Sequence, residues 1–180
     1  MNTSNPFLFA LLLSAALVGL FMVTPQEAAA ISNRAELHAP APDFSLPDLQ
    51  GKEISLSSLQ GKAVILTFWA TWCGVCREEM PMMDLLYKKY KDKGLEVIGV
   101  NVDRKPEPVA TVQDFIKQRG FSFPNLLDRE WKAMKLYRAH FLPTTFVLDR
   151  QGIIVDKKVG SYQWTAPESE LAINKLLKKN

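Results

Sequence analysis

Cys73 and Cys76 are the only two cysteines in 180 residues, and they are three positions apart in Trp72-Cys73-Gly74-Val75-Cys76. A thiol pair at this spacing can do three kinds of chemistry: cycle between dithiol and disulfide, hold a metal, or sit inert in a core. The surrounding pattern favours the first. A nearly continuous apolar run, Ala63 to Trp69, precedes the pair, and residues 73–93 follow with Met83, Leu86, Tyr87 and Tyr90 on one helical face. The cysteines therefore stand where a buried strand turns into a helix. Free amides in the first helical turn stabilise a thiolate and lower the pKa of the N-terminal cysteine from about 8.5 toward about 7. Cys73 is thus the expected nucleophile. Cys76, one turn on and on the same side, is placed to resolve a mixed disulfide formed at Cys73.

The competing chemistries fit less well. Four zinc ligands could be counted by adding His38 and His140, but these lie far from the pair and lack a paired spacing. Met80, Met82 and Met83 near Cys76 invite a copper(I) reading, since thioether and thiolate both suit that ion. This gives a copper-binding or chaperone module as the alternative function. A peroxidase needs a threonine three residues before its cysteine. Ala70 and Cys73 occupy those places here.

The elements that must position the pair are legible in the same way. Leu95 to Val102 is a second buried run, so residues 63–102 form a β-α-β unit with an expected right-handed crossover. Phe44-Ser45-Leu46 and Glu53 to Leu56 alternate around Asp48 to Gly51 as an entry hairpin. Downstream, the pattern predicts a helix over 109–119, an extended segment over 121–127 and a helix over 130–138. It ends with strands over 144–148 and 153–155 and a closing helix over 167–179. The fold class is α/β, a central mixed β-sheet flanked by helices.

Residues 7–23 carry no charge, all 22 Lys and Arg lie beyond position 30, and Glu27 is the single acid before it. Seventeen such residues would reach about 25 Å as a helix, short for a bilayer and long for a signal core. Ala28-Ala29-Ala30 supplies small residues where a signal peptidase cuts, whereas Met1 to Pro6 lacks the usual basic residue. The expectation is a signal peptide or membrane anchor over 1–30, a proline-containing linker over 31–42 and one domain over 43–180. The protein is then exported, periplasmic or extracytoplasmic, and held at the inner membrane by 7–23 if uncleaved. Without residues 1–30 the net charge is +4, with no basic stripe to suggest nucleic acid.

The stretch from Thr67 through Trp72-Cys73-Gly74-Val75-Cys76 to Pro81 resembles the active-site segment of the thioredoxin-like family. The likeness is to its exported TlpA/ResA branch, which is related to the AhpC/TSA redoxins. It extends from about Pro42 to the C-terminus and includes Phe141-Leu142-Pro143-Thr144-Thr145. It implies a thioredoxin-like fold with an N-terminal hairpin and a helix-strand insertion over about 104–128. It also implies a thiol-disulfide oxidoreductase that reduces client disulfides and whose only redox group is the Cys73–Cys76 disulfide. Pro143 takes the place of the family's cis-proline, which presents Leu142 to an extended substrate, so Trp72, Leu142, Pro143 and Thr144 are the implied client-binding positions. Glu79 matches an acidic residue near the cysteines that could hold or deliver a proton. Thr67 stands where thioredoxin has a buried aspartate. Implied partners are client proteins with cysteine pairs, such as apocytochrome c or copper-site proteins, and a membrane thiol transporter of the DsbD/CcdA type as electron donor. A monomer is expected.

Overall fold

The computed structural model describes residues 34–104 and 109–178. The proposed signal or anchor over 1–30 lies outside the described residues. Among the described residues no helix is long and apolar enough to cross a membrane.

Two fully buried seven-residue strands, β3 (Ala63–Trp69) and β4 (Leu95–Asn101), form the centre of the sheet. They pair in parallel, from Ala63 with Leu95 to Trp69 with Asn101, through the helix α1 (Gly74–Tyr90). Parallel strands covered on both faces need continuous apolar sequence, which these runs supply. The helix expected over 73–93 divides into α1 and a 3-10 turn at Lys91–Lys93. Gly94 stops it in the left-handed region, φ 95°, where a side chain is disfavoured.

The five-stranded sheet runs β5-β4-β3-β6-β7, with β5 (Asn125–Leu127) parallel to β4. On the other side β6 (Thr144–Leu148) is antiparallel to β3 and β7 (Ile154–Val159) antiparallel to β6. The mixed sheet is as expected, but β7 is longer than 153–155. Asp156, Lys157 and Lys158 continue an edge strand whose polar side chains meet solvent. A separate pair, β1 (Ser45–Pro47) and β2 (Glu53–Ser55), makes the entry hairpin, and a bridge from Asp48 to Leu126 joins it to β5.

The insertion consists of α2 (Val109–Arg119) and β5. The helix expected over 130–138 is α3, only Lys132–Leu136. Its start is delayed because the buried Asp128 carboxylate accepts from the amides of Lys132 and Met134, both at 2.7 Å, with Trp131 turned left-handed at φ 60°. The last helix is α4 (Pro167–Lys178).

The expected linker 31–42 contains a docked stretch. His38 donates its backbone N–H to Ile154 at 2.8 Å, Ala41 to Gly152 at 2.9 Å, and Pro40 bridges Ile153. Inside, Tyr137 meets Phe44, Phe68 and Phe146 at ring separations of 5.8, 5.5 and 5.1 Å, and its hydroxyl donates to the carbonyl of Pro42 at 2.6 Å.

Candidate active site

The register of the central strands decides what meets the cysteines. Trp69 is opposite Asn101, so the turn after β3 and the residues after β4 leave the sheet side by side. Asp103, buried there, accepts from the backbone N–H of Thr71 at 3.1 and 3.3 Å and from the Asn101 amide at 3.0 Å. It fixes the turn that delivers Cys73 to the N-cap of α1.

Cys73 and Cys76 are joined by a disulfide. Cys73 is the N-cap of α1, and its sulfur accepts from the backbone N–H of Cys76 at 3.2 Å. A backbone amide donating to this sulfur is the kind of contact that favours a thiolate there. The pair is unequally covered: Cys73 is 8% exposed and Cys76 is 1% exposed. An approaching sulfur thus reaches Cys73 first.

Glu79, one turn beyond Cys76 on α1, is 2% exposed. Burial pushes its carboxyl up from the usual 4.5 to about 7, while the Trp164 side chain and the Tyr162 backbone, both donating to it, oppose the rise. The Trp164 indole N–H is bonded to Oε1. Thr67, in the expected aspartate position, is buried, and its hydroxyl accepts from Thr145 at 2.9 Å. It offers no titrating group, which leaves Glu79 as the carboxyl on the pair's own helix face.

The Leu142–Pro143 peptide bond is cis. Leu142 lines a cleft of about 680 Å³ with Cys73, Trp72, Phe141, Trp131 and Met134 among its walls. Among the described residues, Trp72 and Phe141 are the most exposed large apolar ones, at 69% and 72%. Thr144 is buried just inside, its hydroxyl donating to the Phe141 carbonyl at 2.6 Å. Trp72, Cys73 and Leu142 are thus brought to one opening, whereas Glu79 is buried one turn along α1 from Cys76 and does not line it. Met80 and Met83 are buried in the core, and Met82 is packed against it. His140 lines the cleft, and His38 lies on the docked lead-in.

Sequence reasoning missed Asp103, Trp164 and Trp131. Asp103 had a usable signal, a polar residue just past the C-terminal end of a buried parallel strand. Trp131 closes the cleft floor, with its indole N–H donating to the Val102 carbonyl at 2.8 Å. No local pattern marks it or Trp164.

The AhpC/TSA family model matches residues 37–157. The chain is 44% identical over 120 residues to the thiol-disulfide oxidoreductase ResA of Bacillus cereus, covering 67% of this chain and 68% of that one. Against ResA of Geobacillus kaustophilus it is 46% identical over 112 residues, 62% of this chain and 63% of the relative. Among solved structures it is similar to a thiol:disulfide interchange protein of the thioredoxin family from Chlorobium tepidum. The TM-score is 0.66 at 30% identity, over 77% of this chain and 95% of that one. StoA from Bacillus subtilis gives a TM-score of 0.61 at 29% identity, over 76% and 97%. With a strand-to-helix C-x-x-C disulfide on a thioredoxin-like fold, the chain belongs to the AhpC/TSA family and is a thiol-disulfide oxidoreductase of the ResA type.

Proposed function

We propose that the protein works as a reductant of disulfides in exported client proteins, with Cys73 as nucleophile, Cys76 as resolving thiol and Glu79 as the proton carrier. The observation that carries this is the unequal placement of the pair, Cys73 at the cleft and Cys76 buried beside a carboxyl that titrates near neutrality. The Cys73 thiolate attacks one sulfur of a client disulfide. A Cys73–client disulfide forms, and the client's second sulfur leaves as a thiolate. Cys76 then gives its proton to the Glu79 carboxylate and attacks the Cys73 sulfur, releasing the client's first thiolate. Two electrons pass to the client, which takes up two protons, and the Cys73–Cys76 disulfide is left. The cleft walls Trp72 and Leu142 and the neighbouring Pro143 and Thr144 align an extended client segment by strand-like pairing.

The uncharged stretch 7–23 supports export, to a compartment that oxidises thiols. Recharging then requires a dithiol donor, which we assign to a membrane thiol transporter of the DsbD/CcdA type. Apocytochrome c and copper-site proteins are the client classes, and the working form is a monomer. Expression of Cys76→Ser in the native host tests this, because the mixed disulfide at Cys73 can no longer be resolved. Recovery of cysteine-pair proteins of those classes is expected. If the trapped species persist when Cys73 is also replaced, the assignment of the nucleophile is wrong.

A further inference from the structure

The cleft beside Cys73 carries charge as well as apolar surface. Lys135 on α3 and His140, just past it, both exposed, line it together with Trp72 and Phe141. Arg104 adds a cation at the same end, its guanidinium 4.4 Å from the centroid of the Trp131 ring. No Asp or Glu is among the lining residues. The nearby acids are engaged elsewhere: Asp103 holds Thr71 and Asn101, Asp128 caps α3, and Glu130 pairs with Lys132 at 3.0 Å.

Resting on the reading of the protein as a reductant of client disulfides, we infer that this cleft selects client segments carrying an acidic side chain within two residues of the attacked cysteine. Two residues of extended chain span about 7 Å, so the carboxylate and the sulfur enter the same cleft. There the carboxylate meets Lys135 and Arg104 beside apolar walls, where an ion pair is worth more than on open surface, and it speeds encounter.

The test uses the reduced full chain and three peptides with the same intramolecular disulfide, flanked by Asp, Asn or Lys. Protein oxidation is followed by stopped-flow fluorescence. The acidic peptide should exceed the neutral one by about 5-fold in kcat/KM and the basic one by more, with the differences shrinking in 0.5 M salt. Lys135→Glu and, separately, Arg104→Glu should reduce or invert the ratio of acidic-peptide to neutral-peptide kcat/KM measured on the same variant, and an unchanged ratio in both variants overturns the assignment of these cations. Wild-type rates that are equal for all three peptides overturn the acidic preference and leave the reductant reading standing. Failure to reduce any of the three removes both.

Discussion

Glu79 holds its proton about two and a half pH units longer than a solvated glutamate, because burial next to Cys76 disfavours the anion more than Trp164 and Tyr162 favour it. The folded state therefore keeps a proton that the unfolded chain has already lost between about pH 4.5 and 7. This group's stabilising contribution is complete below about 4.5 and is lost as pH rises through about 7, up to about 3 kcal/mol in all. Glu79→Gln removes the titration. Urea unfolding of the oxidised protein should show wild type losing stability relative to Glu79→Gln between pH 4.5 and 8. Parallel pH profiles would place the carboxyl at an ordinary pKa. The cysteine pair was legible in the sequence because its geometry follows from helical spacing, whereas Glu79 was marked only by the resemblance to the TlpA/ResA branch. The indole that holds Glu79 is 85 residues away and needed the tertiary fold.

At the scale of elements, the joint between β3, β4 and β5 depends on a missing side chain. Gly99 pairs with Thr67 on one side and Asn125 on the other, and the Trp69 indole donates to the Asn125 side-chain oxygen at 2.9 Å directly over it. A Cβ at 99 would lie 2.2 Å from that oxygen and 2.9 Å from the indole nitrogen. Gly99→Ala must therefore displace a buried hydrogen-bonded pair in a packed sheet, at a cost of about 2–4 kcal/mol. Chemical denaturation of the variant measures this, and a loss under about 1 kcal/mol would show that Asn125 gives way easily. The buried strands were readable because parallel pairing demands unbroken apolar runs. The short α3 was not, because its start is set by Asp128 reaching forward to Lys132 and Met134 rather than by periodicity.

For the whole molecule, the lead-in is fastened to the domain through two kinds of contact. His38 and Ala41 donate to the start of β7 and the turn before it, and buried Tyr137 reaches the Pro42 carbonyl from inside the core. Tyr137→Phe leaves that carbonyl without its partner, which costs about 1–3 kcal/mol. The amides of His38 and Ala41 should then exchange with solvent measurably faster than in wild type, by hydrogen exchange. Unchanged protection would mean that the β7 bonds alone hold the segment. Composition could not reveal this docking, since prolines and alanines read as a linker until a sheet edge is present to receive them. Nor could it give the strand order, which depends on register between distant runs.

The docking has a practical consequence. Pro40 and Ala41 lie with Val64, Leu148 and Gly152, at the start of β3, whereas Cys73 follows its far end at Trp69. The two points are about 17 Å apart along the strand. Residues 38–42 therefore dock at the end of β3 away from the reactive sulfur. Protein immobilised on a bead through a residue introduced at Glu36, exposed on the docked lead-in, should therefore reduce a disulfide peptide at close to its rate in free solution, whereas coupling through a residue introduced at Val75 should abolish turnover.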